Sequence, residues 1–163
     1  MSTGPSADNE RATLLEFLGY KREALIDAVT GVTEAQARMT PTVSALSLLS
    51  LIKHSAIWER RWFQVFVAGR TPDEWSVLRA EEKDATFRLS DDDTIERVVA
   101  DYRAQIAASN EILDAFDLDA PCLLPEMAGR NVRWVAVHVL EETAHHAGHA
   151  DIIRESIDGR RGR

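Results

Sequence analysis

Residues 131–158 read NVRWVAVHVLEETAHHAGHADIIRESID, and the fold turns on how this stretch is read. At about 100° of rotation per residue it forms one long helix. Four of the chain's five histidines, His138, His145, His146 and His149, fall inside it. With His138 at 0°, His149 lies at about 20°, Glu142 at about 40°, His146 at about 80° and His145 at about −20°. Trp134, Val135, Val139, Ile152, Ile153 and Ile157 share that side. Thr143, Ala144, Ala147, Asp151 and Arg154 occupy much of the other, where Leu140 alone is large and apolar. Several imidazoles and a carboxylate therefore project from the face that should meet neighbouring helices. Polar groups on such a face are costly unless they are hydrogen-bonded or bind a metal, so the pattern marks a site.

The rest of the chain sets the frame for that helix. A length of 163 residues suits one domain with a real core. Net charge of −8 argues against nucleic acid or an anionic membrane as the main partner. No apolar run approaches a membrane span, and the N-terminal MSTGPSADNERATLL lacks a signal-peptide layout. A single cysteine, Cys122, allows no internal disulfide and fits a cytoplasmic location. It stands between Pro121 and Leu123 with no adjacent base, a poor setting for a nucleophile.

Residues 1–8 are expected to be disordered, 9–158 to form the domain, and 159–163 to be a basic tail. Leu14, Leu15, Leu18, Leu25, Ile26 and Val29 predict a first helix near 9–30, capped by Asp8 or Asn9 and stopped at Gly31. A second, SALSLLSLIKHSAIWERRWFQVFVAG, is predicted near 44–68, with Thr42 or Ser44 as cap and Gly69 as stop. It carries the fifth histidine, His54, on a partly apolar face with Leu51, Trp58 and Val65. Residues 70–92 read as a long loop anchored by Trp75 and Phe87. A third helix is predicted near 94–116 and the last at 131–158. With no strand pattern competing, the chain reads as an all-α four-helix bundle with long connections between helices two and three and between three and four.

Side chains four apart on a helix lie one turn above each other and can share an ion. The last helix offers Glu142 with His146, His145 with His149, and, further round, Glu141 with His145. Either of the first two pairs with His54 makes a three-ligand site with an open position, the arrangement of catalytic metal centres. Imidazole ligands point to Zn, Ni or Fe. The competing reading is a polar core layer whose imidazoles hydrogen-bond or reach solvent. HExxH is absent, which argues against a thermolysin-like protease.

The segments SLLSLIKHSAIWERRWF and RWVAVHVLEETAHHAGHADIIRESIDG, with a third helix containing Tyr102-Arg103, resemble the DinB-like superfamily, within it the DUF664 branch of mycothiol S-transferase-like proteins. The resemblance runs from about Glu10 to the end of the last helix. It implies a four-helix bundle holding a metal through one histidine of the second helix and two residues a turn apart on the fourth. It also implies a relation to bacillithiol transferases and mycothiol-dependent maleylpyruvate isomerase. Relatives with HxxxHRGQ on the last helix align His146 with the second ligand and put Glu142 where the first histidine stands. The implied ligands are His54, Glu142 and His146, with His145/His149 as the alternative register.

The expected function is metal-dependent transfer of a low-molecular-weight thiol, of mycothiol type, to an electrophilic substrate. His149 or His138 would move protons, and Arg61 would contact an anionic group. The alternatives are a non-catalytic metal-binding stress-response bundle and a metal-dependent hydrolase. A homodimer is also expected, from the resemblance and from the excess of aromatic residues at Trp58, Trp62, Phe63 and Phe66.

Overall fold

The computed structural model describes residues 9–70 and 80–162, the side chains of residues 80–83 excepted. The segment expected to be a disordered N-terminus and the anchor at Trp75 lie outside the described residues. Five α-helices follow in order: α1 Glu10–Asp27, the short α2 Glu34–Ala37, α3 Leu48–Arg60, α4 Ile95–Ala115 and α5 Val132–Asp158. The four long ones are the predicted bundle. Among the described residues there is no strand, only an isolated antiparallel bridge between Pro121 and Asn131.

Each long helix begins where a short polar side chain can accept from an otherwise unpaired backbone N–H. Asn9 Oδ1 accepts from the Ala12 N–H at 3.1 Å, and Asn131 Oδ1 from that of Trp134 at 2.9 Å. Thr94 does the same for α4. On α3 the cap is Ser47, not Thr42 or Ser44, and the helix starts later than residue 44. Ser47 and Ser50 exchange hydrogen bonds in a capping box that the serines upstream cannot match. Gly159 closes α5 in the left-handed conformation, with φ of 77°.

The predicted second helix does not stay α-helical to its end. From Arg61 to Val67 it widens into a π-helix, in which the Ala68 N–H reaches the Phe63 carbonyl at 3.0 Å. Its last carbonyls find partners in the crossing loop: the N–H groups of Leu123 and Leu124 donate to Val67 and Phe66. Gly69 follows with φ of 63°, where a Cβ would stand only 3.0 Å from that of Leu123. Both the backbone angle and the close approach require glycine there. The loop expected over 70–92 also holds order, since Ala80–Phe87 forms a 3₁₀ helix packed on α3.

α3 packs most extensively on α4, and α1 on α5. The apolar interior divides into two clusters. One gathers Leu25, Leu48, Leu51, Ile52, Val98 and Ile153; the other Leu18, Phe63, Ile112, Val135 and Val139. Between them the helices carry polar residues inward: Arg22 on α1, Ser55 and Glu59 on α3, Ser109 on α4, and Thr143 and His146 on α5, all buried. The bundle thus has a polar layer between two oily ones, and the layer contains the site. Ile152, placed by helical phase on the apolar side, is 59% exposed at the edge of that face. The aromatics that motivated a dimer pack within this chain. Phe63 and Phe66 are buried, and Trp62 meets Phe66, Trp134 and His138.

Candidate metal centre

α3 and α5 bring His54, Glu142 and His146 together. One donor atom from each lies within 4.8 Å of the others, and the two imidazole centroids are 4.7 Å apart, nearly perpendicular. The spacing of four on α5 puts Glu142 Oε2 at 3.6 Å from His146 Nε2, too far for a hydrogen bond. His54 is held on both sides. Its Nδ1 is 2.5 Å from Thr86 Oγ1, and its ring stacks on Phe87 at 3.9 Å with planes 8° apart. Both partners come from the segment after α3, which clamps the imidazole at one orientation.

His146 is the anomaly of the group. It is buried, yet neither ring nitrogen has a hydrogen-bond partner among the described residues. Burial, with His149 and His145 nearby, lowers its pKa to about 4, so the ring is neutral at pH 7 with a lone pair available. A buried imidazole left without partners is disfavoured in a folded interior unless something else satisfies it. A divalent ion between His54, Glu142 and His146 would do so with a ligand set of the type borderline metals accept. The donors border a cavity of about 120 Å³ reaching between α3 and α5, with Trp58, Trp62 and His138 among its walls.

The sequence profile of mycothiol-S-transferases matches residues 13–159. The chain belongs to the mycothiol-S-transferase family. A crystal structure described as the conserved protein of locus from Enterococcus faecalis shares the fold, with a TM-score of 0.62 and 18% identity over 91% of this chain and 96% of that one. No curated protein matches the chain.

In this mycothiol-S-transferase family member the other sequence-derived candidates separate. His138 borders the cavity, lies parallel to Trp134, meets Trp62 edge-on and has Nδ1 3.8 Å from Glu141 Oε2. His149 does not border it. Its ring is 6.0 Å from that of His146 and lines a separate depression with Thr42, Ser44 and Ile152. His145 is exposed, and its ring centroid is 5.9 Å from that of His146. Arg61 is half-buried, its guanidinium over the rings of Trp58 and Phe66, and burial lowers its pKa. It is not among the residues that border the cavity. Cys122 is buried and burial pushes its thiol pKa up, the opposite of what a nucleophile needs.

Sequence reasoning missed three contributors. Thr86 carries no motif, since its role arises from a contact across 32 residues. Ser55, whose buried hydroxyl has no partner among the described residues, borders the same cavity, as does Glu59. Both sit within five residues of His54, so its helical neighbourhood was the available signal. No helix among the described residues is long and apolar enough to cross a membrane.

Proposed function

We propose that this protein is a metal-dependent S-transferase that moves a mycothiol-type thiol onto an electrophilic substrate. The observation that carries the reading is His146: buried, neutral, unpartnered, and beside His54 and Glu142 at a cavity, in a mycothiol-S-transferase family fold. His54, Glu142 and His146 would hold a Zn, Ni or Fe ion. Such an ion supplies stabilisation of sulfur in its anionic form near neutral pH.

The chain's own residues supply the rest. If His54 Nδ1–H donates to Thr86 Oγ1, its lone pair is placed on Nε2, the nitrogen a ligand must offer. His138, on the cavity wall, takes the proton leaving the thiol. Trp58 and Trp62 exclude water from the reacting groups. The sulfur electron pair then forms the new S–C bond as the electrophile gives up its leaving group or opens a double bond, and the proton held by His138 goes to that group or carbon. Arg61 and His149 lie off the cavity, away from the reacting groups.

The test is incubation of metal-replete protein with mycothiol, bacillithiol or glutathione, each with a panel of electrophiles, followed by mass spectrometry. The expected result is a mycothiol conjugate that disappears on chelation and returns with added metal. No conjugate from any thiol overturns the proposal. Metal-dependent ester or amide cleavage without thiol would establish a hydrolase instead.

A further inference from the structure

His145 and His149 repeat, a little further round α5, the spacing that brings Glu142 and His146 together. Four residues apart, they stand one turn above each other, with ring centroids 4.4 Å apart and planes 41° apart. That separation lets two imidazoles turn toward a common ion, since each Zn–N bond is only about 2.0–2.1 Å long. His145 is exposed, so the position is open to a dissolved ion. His149 is half-buried, and its Nδ1 is shut away from water with no hydrogen-bond partner among the described residues. The same defect marks His146, and it again points to a missing ligand. Water can fill the remaining coordination positions from the exposed side of His145.

We propose that His145 and His149 form a second metal site, a two-imidazole chelate for Ni, Cu(II) or Zn, occupied in addition to the site at His54, Glu142 and His146. Two protein ligands in contact with solvent bind more weakly than three at a cavity, so this site fills second. The rings of both residues stand about one helical turn from that of His146, at 5.9 and 6.0 Å, close enough for a dication at one site to disfavour the other.

Metal-free protein is titrated with Ni and separately with Zn by calorimetry, with bound metal counted after equilibrium dialysis. The expected result is two binding steps of one equivalent each. His145→Ala removes only the weaker step, and His146→Ala removes only the tighter. A single equivalent that persists in His145→Ala overturns the proposal, as does retention of both steps in that variant. Loss of both steps in His145→Ala also overturns it, because the two sites would then be one. The weaker step persisting alone in the unaltered protein and in His146→Ala supports this site while removing the metal centre proposed for catalysis. Circular dichroism confirms that each variant is folded.

Discussion

Arg22–Glu59 and His54–Glu142–His146 both bring polar side chains inside the bundle, and both draw on α3. The first group is closed. Arg22 and Glu59 are each 2% exposed, the guanidinium contacts both Glu59 oxygens, and its remaining arm donates to Asn110 Oδ1 at 2.9 Å. Tyr102 lies close enough that burial and the Glu59 charge raise its pKa, so its hydroxyl stays protonated. The second group is open: His146 has neither nitrogen paired, and its carboxylate neighbour stops at 3.6 Å. A buried polar group whose partners belong to the same chain contributes to structure. A buried imidazole without partners, beside two other donors and a cavity, can take one from outside the chain. That difference separates scaffold from site in one polar layer.

The sharpest way to break this contrast is to unpair the closed group. Glu59→Ala strands a buried guanidinium and should cost about 3–5 kcal/mol in urea denaturation, whereas Arg22→Met with Glu59→Leu should return close to the original stability. If Glu59→Ala proved harmless, the pair would not be structural.

The open group predicts a different behaviour, nearly as large. Zn at a thousand times its Kd should stabilise the protein by about 4 kcal/mol, seen as a rise in Tm. His146→Ala should abolish that rise at Zn concentrations too low to fill the weaker pair at His145 and His149. A Tm that still climbs by as much at those concentrations would place the tight site elsewhere.

Without metal, the same histidine should couple stability to pH. Its folded pKa of about 4 lies below the unfolded value of 6.5, so between these the unfolded chain binds more protons. Stability therefore rises with pH through that window and is lost as pH falls from 6.5 toward 4. The contribution is roughly 3 kcal/mol at most. Denaturation of the metal-free protein and of His146→Ala from pH 4 to 7 should show this dependence flattened in the variant.

The smallest effect belongs to a pair on the surface. Arg103 and Glu23 meet at 2.9 Å with both side chains more than half exposed, and Arg103→Ala should cost no more than about 1 kcal/mol. A loss comparable to that of Glu59→Ala would remove burial as the distinguishing variable.

Much of the site's geometry was legible because it lies along one helix. Glu142 and His146 share a face by arithmetic alone, and the helix of His54 announced itself by its apolar run. The closed group was invisible. Arg22 and Glu59 are 37 residues apart on different helices, and no local pattern pairs them. The role of Thr86 was hidden for the same reason. Helix ends were misplaced where local bonding decided them: the capping box at Ser47 overrode the earlier serine, and the widening after Arg60 leaves no mark in apolar periodicity. Which pair on α5 stands beside His54 depends on the position of α3, which no pattern within α5 contains.

The widened segment Arg61–Val67 has a consequence for changes in chain length. A π-turn accommodates one residue more than an α-turn, so the second long helix holds a surplus residue in its ladder. Deleting one residue there would let the ordinary ladder resume with later side chains facing nearly as before, because the wide turn already absorbs the rotation of about 100° that one residue brings. Phe66 and Val67, whose carbonyls meet the loop after Cys122, would keep that contact, and His54 and Trp58, upstream, would keep their places. The wide turn thus acts as a register buffer. It lets one residue be gained or lost between the half that carries His54 and the loop-facing half without turning either from its neighbours.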